Sequence, residues 1–238
     1  MAGIAVFIGT VNYFVLDALE SIARSQILAA IESSAKAFER YETGRNDLYR
    51  TRVAAMSEAA HLKATLSIPG VDSETARYAG VSLREISDMP VILLLDGGGV
   101  PLADVNDYGV QSGQIAGVPG IDRVFERGET INAVSVLGKH HVRLAVAPVI
   151  SGGNLVGAVL IGEPLGTSQD IESMTDLSSV SVGLLLNGKI SDPGTEEIES
   201  DVAESLAALP TGPGESAAGL TEELLTSDGP YFVRTVPL

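Results

Sequence analysis

Between residues 17 and 66 the chain has no proline and a single glycine, Gly44, and apolar side chains return in alternating steps of three and four. Positions 27, 31, 34, 38, 41, 45, 48, 52, 55, 59, 62 and 66 hold Ile, Ile, Ser, Phe, Tyr, Arg, Leu, Arg, Ala, Ala, Leu and Leu. This spacing predicts one long helix with a mostly apolar face, interrupted by Arg45 and Arg52. Fifty helical residues extend roughly 75 Å, more than a small domain needs. Such a rod either pairs with a twin or carries modules along its length. Pro69-Gly70 stops it, and Asp72 or Ser73 caps a second helix that Met89-Pro90 ends. Five strand-like runs follow, at 91–95, 100–104, 131–137, 142–150 and 155–162. Asp96-Gly97 and Gly152-Gly153 mark tight turns between them, because such turns need positive φ. The segment 105–129 is rich in glycine and polar residues and predicts a loop with a short helix near 120–127. The expected parts are thus five antiparallel strands, a long helix and a crossing loop.

The rest of the chain repeats this grammar. Val91-Ile92-Leu93-Leu94-Leu95-Asp96-Gly97 is echoed by residues 180–186 with a turn at Asn187-Gly188. The stretch 141–149, which ends in Ala147-Pro148-Val149, is echoed by Tyr231-Phe232-Val233-Arg234-Thr235-Val236-Pro237. A helix at 168–178, a helical patch at 202–209 and a solvent loop at 211–214 complete the second copy. The first copy has one further strand, 155–162, which the second lacks. The expected fold class is therefore α+β: a long N-terminal helix, then two tandem PAS-like modules with antiparallel sheets, the second truncated. The expected division is 1–16, 17–66, 67–165 and 166–238.

The first sixteen residues carry no charge, and Asp17 is the first ionisable side chain. A spanning helix needs about 20 apolar residues and a secretory core about 7–15. The stretch is short for the first and lacks the basic flank of the second. It is expected to be the outer part of a transmembrane helix, with a buried helical start in a soluble protein as the alternative. The positive-inside rule gives no orientation without that flank.

Composition narrows the partners. Hydrophobic residues at 45% and charged residues at 19% fit a globular protein. A formal net charge of −16 argues against a nucleic-acid groove and against a polybasic hold on anionic lipid. The chain has no cysteine, which removes disulfides, thiolate metal sites and cysteine nucleophiles.

Catalytic constellations are thin. The histidines are His61, His140 and His141. Neighbours on a strand point to opposite faces, so His140 and His141 do not chelate together there. Asp104-Val105-Asn106-Asp107-Tyr108-Gly109 starts like a calcium loop, but its twelfth position is Ile115. No enzyme activity, metal or cofactor is expected. A binding pocket is the remaining chemistry. Along 142–149 one face shows Val142, Leu144, Val146 and Pro148, and the other Arg143, Ala145, Ala147 and Val149. The large face suits packing against the long helix. The small face leaves room beside one guanidinium, as a pocket for a small organic anion would. Asp107, Tyr108 and Arg123 are expected to form the opposing wall. An exposed strand arginine paired with a loop aspartate is the alternative.

The order of parts resembles the double Cache sensor domains of bacterial receptors, found in chemoreceptors, histidine kinases and nucleotide cyclases. The likeness rests on Val91 to Gly97, Gly99-Val100-Pro101-Leu102-Ala103, Ala145 to Val149 and Gly157-Ala158-Val159-Leu160-Ile161-Gly162. It implies an extracytoplasmic, periplasmic sensor anchored in the inner membrane, with a membrane-distal ligand-binding module and a smaller proximal one. It also implies a homodimer along the long helices, and no catalysis in this segment. The family's amino-acid signature includes a tryptophan, and this chain has none, so amino-acid binding is not carried over. A cytosolic PAS-like binding or dimerisation protein is the alternative.

Overall fold

The computed structural model describes residues 2–165 and four later strand segments, 184–186, 189–191, 221–226 and 229–234. The chain divides into two compact units, residues 41–167 and residues 1–40 with 168–237. Helix α1 (Ala2–Ser57) runs through the first boundary as one continuous helix. The predicted rod to residue 66 is broken by two residues. α1 ends at Ser57 and α2 (Ala60–Leu66) restarts after Ala59, whose ψ is 123°. The last turn tightens, with Glu58 N–H donating to Ala55 and Ala59 N–H to Met56. The break lets Leu62 and Leu66 turn onto the same core as Val53 and Met56.

The buried positions of α1 also depart from the expected stripe. Ile31, Ala35, Glu42, Tyr49, Val53 and Met56 are buried, whereas Leu48 is 46% exposed and Arg52 and Ala55 face solvent. From Ile31 to Met56 there are seven turns of about 3.6 residues. Ala35, Glu42, Tyr49 and Met56 keep the seven-residue spacing of the expected stripe but stand one position after Ser34, Tyr41, Leu48 and Ala55, so the repeat is right and its phase is one residue early.

Helix α3 (Ser73–Ser87) is capped by Asp72, whose carboxylate accepts from the Thr75 N–H at 2.8 Å and its hydroxyl at 2.9 Å. These bonds hold the Asp72 carboxyl below the usual range. The helix stops at Asp88 in the left-handed region, just before Met89-Pro90. Gly80 brings α3 against the sheet, since a Cβ there would strike the Val105 side chain.

The sheet of the 41–167 unit contains β1 (Val91–Asp96), β2 (Pro101–Asp104), β3 (Ile131–Leu137), β4 (His140–Ser151) and β5 (Asn154–Pro164). Its order is β2-β1-β5-β4-β3, and every pairing is antiparallel. The crossing loop carries α4 (Ser112–Ala116), not anticipated from the sequence, and α5 (Ile121–Arg127). Helices α1, α2 and α3 cover one sheet face; α4 and α5 cover the other. Both faces of β1 are thus buried, which is why Val91 to Leu95 is unbroken apolar sequence rather than an alternation.

Within the described residues of the other unit, β6 (Leu184–Leu186) pairs antiparallel with β7 (Lys189–Ser191), and β8 (Thr221–Thr226) with β9 (Gly229–Arg234). These two hairpins follow the order of β1–β2 and β3–β4. β8 was not foreseen in the sequence. The expected helices at 168–178 and 202–209 and the loop at 211–214 lie outside the described residues.

Candidate functional site

Alternation along β4 sorts its side chains. Val142, Leu144 and Val146 face α4 and α5, with Ile115, Val118, Ile121 and Val124. Ala145, Ala147 and Val149 face the helical side, with Val53, Met56, Leu62 and Leu66. The two faces are therefore the reverse of the sequence expectation. Small side chains let helices lie close on the sheet, and large ones fill the space beneath a thin loop. The gap beside Arg143 is occupied by helix.

Arg143 is 2% exposed on this helical face. Its Nη2 donates to Glu42 Oε2 of α1 at 2.6 Å, and its Nη1 to Glu163 Oε1 of β5 at 3.2 Å. Glu163 is its cross-strand neighbour, so register alone brings these two charges together. Arg45 of α1 also pairs with the Glu163 carboxylate. The Arg45 guanidinium donates to the Tyr41 hydroxyl at 2.8 Å and the Tyr49 hydroxyl at 3.4 Å. It stands 5.2 Å from the Tyr41 ring centre and 6.0 Å from that of Tyr49. Burial raises the Tyr49 hydroxyl pKa, opposed by the charges of Arg45, Arg143 and Arg52. Nearby, the Asn132 side-chain amide of β3 donates to the Asn46 carbonyl of α1 at 3.0 Å. A buried charge is tolerated only with partners, and Arg143 has two carboxylates.

The other nominated residues lie elsewhere. Asp107, in the left-handed region at φ 58°, pairs with Arg77 of α3 at 2.8 Å. The pairing raises the Arg77 pKa. Asp104 closes the loop on itself, its Oδ2 accepting from the Gly109 N–H at 2.8 Å. Tyr108 packs against the loop-side core and meets His140 edge-on, with ring centres 5.4 Å apart. Burial, and then the charge of Asp104, raises the Tyr108 hydroxyl pKa. The turn between β3 and β4 is clamped here. Gln114 Oε1 accepts from the Gly138 N–H at 3.1 Å, and its amide donates back to the Gly138 carbonyl at 3.1 Å. Gly138, at φ 61°, allows the Tyr108 carbonyl to approach. Arg123 sits half-exposed on α5, 3.8 Å from Glu129. The structure thus groups Arg143, Ala145 and Ala147 on one face, places Tyr108 and Arg123 on the side of α4 and α5, and ties Asp107 to α3. It adds Glu42, Arg45 and Glu163, which sequence reading did not nominate.

A shallow groove of about 630 Å³ lies between α2 and α3, lined by His61, Thr65, Asp72, Thr75, Tyr78 and Ser82 among others. Among the described residues, no group of three His, Cys, Asp or Glu is placed to hold a metal. Among them, too, no helix is long and apolar enough to cross a membrane.

No protein-family model matches the chain, and no curated protein matches it significantly. Solved structures do. The sensor domain of the Vibrio cholerae histidine kinase DctB aligns over 71% of this chain and 67% of its own, at 13% identity and a TM-score of 0.50. The chain shares the fold of that domain. An extracellular ligand binding receptor from Desulfohalobium retbaense aligns over 90% of this chain and 38% of its own, at 16% identity and a TM-score of 0.48. The Escherichia coli DcuS sensor domain aligns over 57% of this chain and 95% of its own, at 12% identity and a TM-score of 0.40.

Proposed function

We propose that this PAS-like chain is the extracytoplasmic, small-molecule-sensing part of a bacterial transmembrane signalling protein. The observation that carries the reading is the sheet order β2-β1-β5-β4-β3 backed by a long N-terminal helix, on a fold similar to a histidine-kinase sensor domain. In this reading residues 1–16 are the outer part of a membrane anchor and 17–66 a stalk. Residues 67–165 are then the membrane-distal module and 166–238 the proximal one. The apolar start and the second pair of hairpins support that division. A homodimer along α1 is part of the proposal. Ile27 and Leu48, three heptads apart on that helix, are 44% and 46% exposed and free to face a second copy. Ligand contact is assigned to the loop side, where Tyr108 meets the β3–β4 turn; Arg143 is already satisfied by carboxylates. Ligand occupancy would shift the population between two packings of the module on its helix.

Two measurements test this. Cell fractionation should find the gene product in the membrane fraction. A thermal-shift screen of the chain against organic acids, amines and sugars should find one class that raises Tm. At a hundredfold excess over Kd the stabilisation is about 2.7 kcal/mol, worth several degrees for a chain of this size. Tyr108→Ala should abolish the shift. A soluble gene product with no responsive class contradicts the proposal.

A further inference from the structure

The chain passes between its two units at Arg40–Tyr41 in α1 and at Thr167–Ser168 beyond β5. Glu42 and Arg45 stand just inside the first crossing, and Glu163 four residues before the second. Among the described residues, the buried charged side chains are Glu42 and Arg143, and Arg143 bridges Glu42 to Glu163. Arg45 holds Glu163 from the helix side as well. The two backbone segments that leave this unit are therefore tied to each other through one guanidinium on β4.

We propose that Glu42, Arg45, Arg143 and Glu163 form a clasp that makes α1 and the end of β5 move as one body. Buried ion pairs contribute little net stability compared with apolar packing, and their best-attested use is to fix register. That use fits here. A slip of α1 by one residue turns Glu42 by about 100° around the helix axis, off the sheet. The contact is thus made in one register only, which gives a discrete switch rather than a graded slide. Any change in the β4–β5 pair reaches the helix through it. The clasp rests on the ion network and on no ligand. If the sensing reading also holds, the clasp is the route by which the state of the sheet reaches α1.

Hydrogen–deuterium exchange of the full chain without ligand tests it. In Glu163→Gln, a change on β5, amides of residues 41–49 in α1 should exchange at least tenfold faster, while those of 121–127 in α5 stay unchanged. If that variant does not fold, Arg45→Lys keeps the charge but loses the forked geometry. It should then speed exchange at both 41–49 and 161–165, by at least threefold. A rise confined to the substituted element, or spread evenly over the chain, overturns the clasp. Either result leaves the sensing proposal standing, because that proposal is tested with ligand and by fractionation.

Discussion

Arg143→Ala is expected to cost about 3–5 kcal/mol, the usual penalty for leaving one member of a buried ion pair without its partner. The substitution removes the cation that Glu42 meets at 2.6 Å, and Glu42 itself is only 5% exposed. Arg45 still serves Glu163, so the loss falls on the helix side, at Glu42. Urea unfolding is the measurement: the midpoint should fall with the slope unchanged, as for a loss of native-state stability. A loss under about 1 kcal/mol, the range of a surface ion pair, would mean that Arg143 is solvated and open to a ligand after all.

Leu160→Ala is expected to cost about 2–5 kcal/mol, from lost transfer energy and the cavity left behind. Leu160 is fully buried, flanked by its register partners Leu93 and Val146 on the face beneath α4 and α5. Strands on both sides hold the backbone, so the site has little freedom to collapse. The same unfolding experiment reads the loss. Near-neutral behaviour would mean that this face is loosely filled, as a ligand cavity is, and that the packing described here is wrong.

Much of the fold was legible in the sequence because its signals are local. Apolar runs between glycine turns marked all five strands of the first sheet, and Asp72-Ser73 marked the start of α3, with Asp72 the residue that caps it. What escaped was tertiary in origin. No proline or glycine announces the break at Glu58-Ala59, because it exists to turn Leu62 and Leu66 onto the sheet. The five residues of α4 carry no period of their own; Gln114 holds them by bonding to Gly138. The helix stripe is one position early because residue type does not set the buried Ala35, Glu42 and Tyr49 apart from their neighbours Ser34, Tyr41 and Leu48.

The site shows the same limit more sharply. A face of Arg143, Ala145 and Ala147 is compatible with a cavity and with close helix approach, and alternation alone does not choose between them. The deciding residues, Glu42 and Glu163, lie far from Arg143 in sequence and look like ordinary surface acids. One trace was visible. Arg45 interrupts an apolar stripe, and a guanidinium on the inner side of a helix requires an anion opposite. Asp107 pairs with Arg77 of α3, a partner that the sequence reading did not name.

The claim on which the rest turns is that Arg143 belongs to the helix–sheet joint and not to a ligand. A double-mutant cycle with Arg143→Met and Glu42→Leu measures that directly, since both replacements keep apolar volume at the joint. Each single variant should be strongly destabilised and the double variant much less so, with a coupling energy of at least about 2 kcal/mol. Additivity within about 0.5 kcal/mol would show that the two side chains do not meet, and would contradict the account.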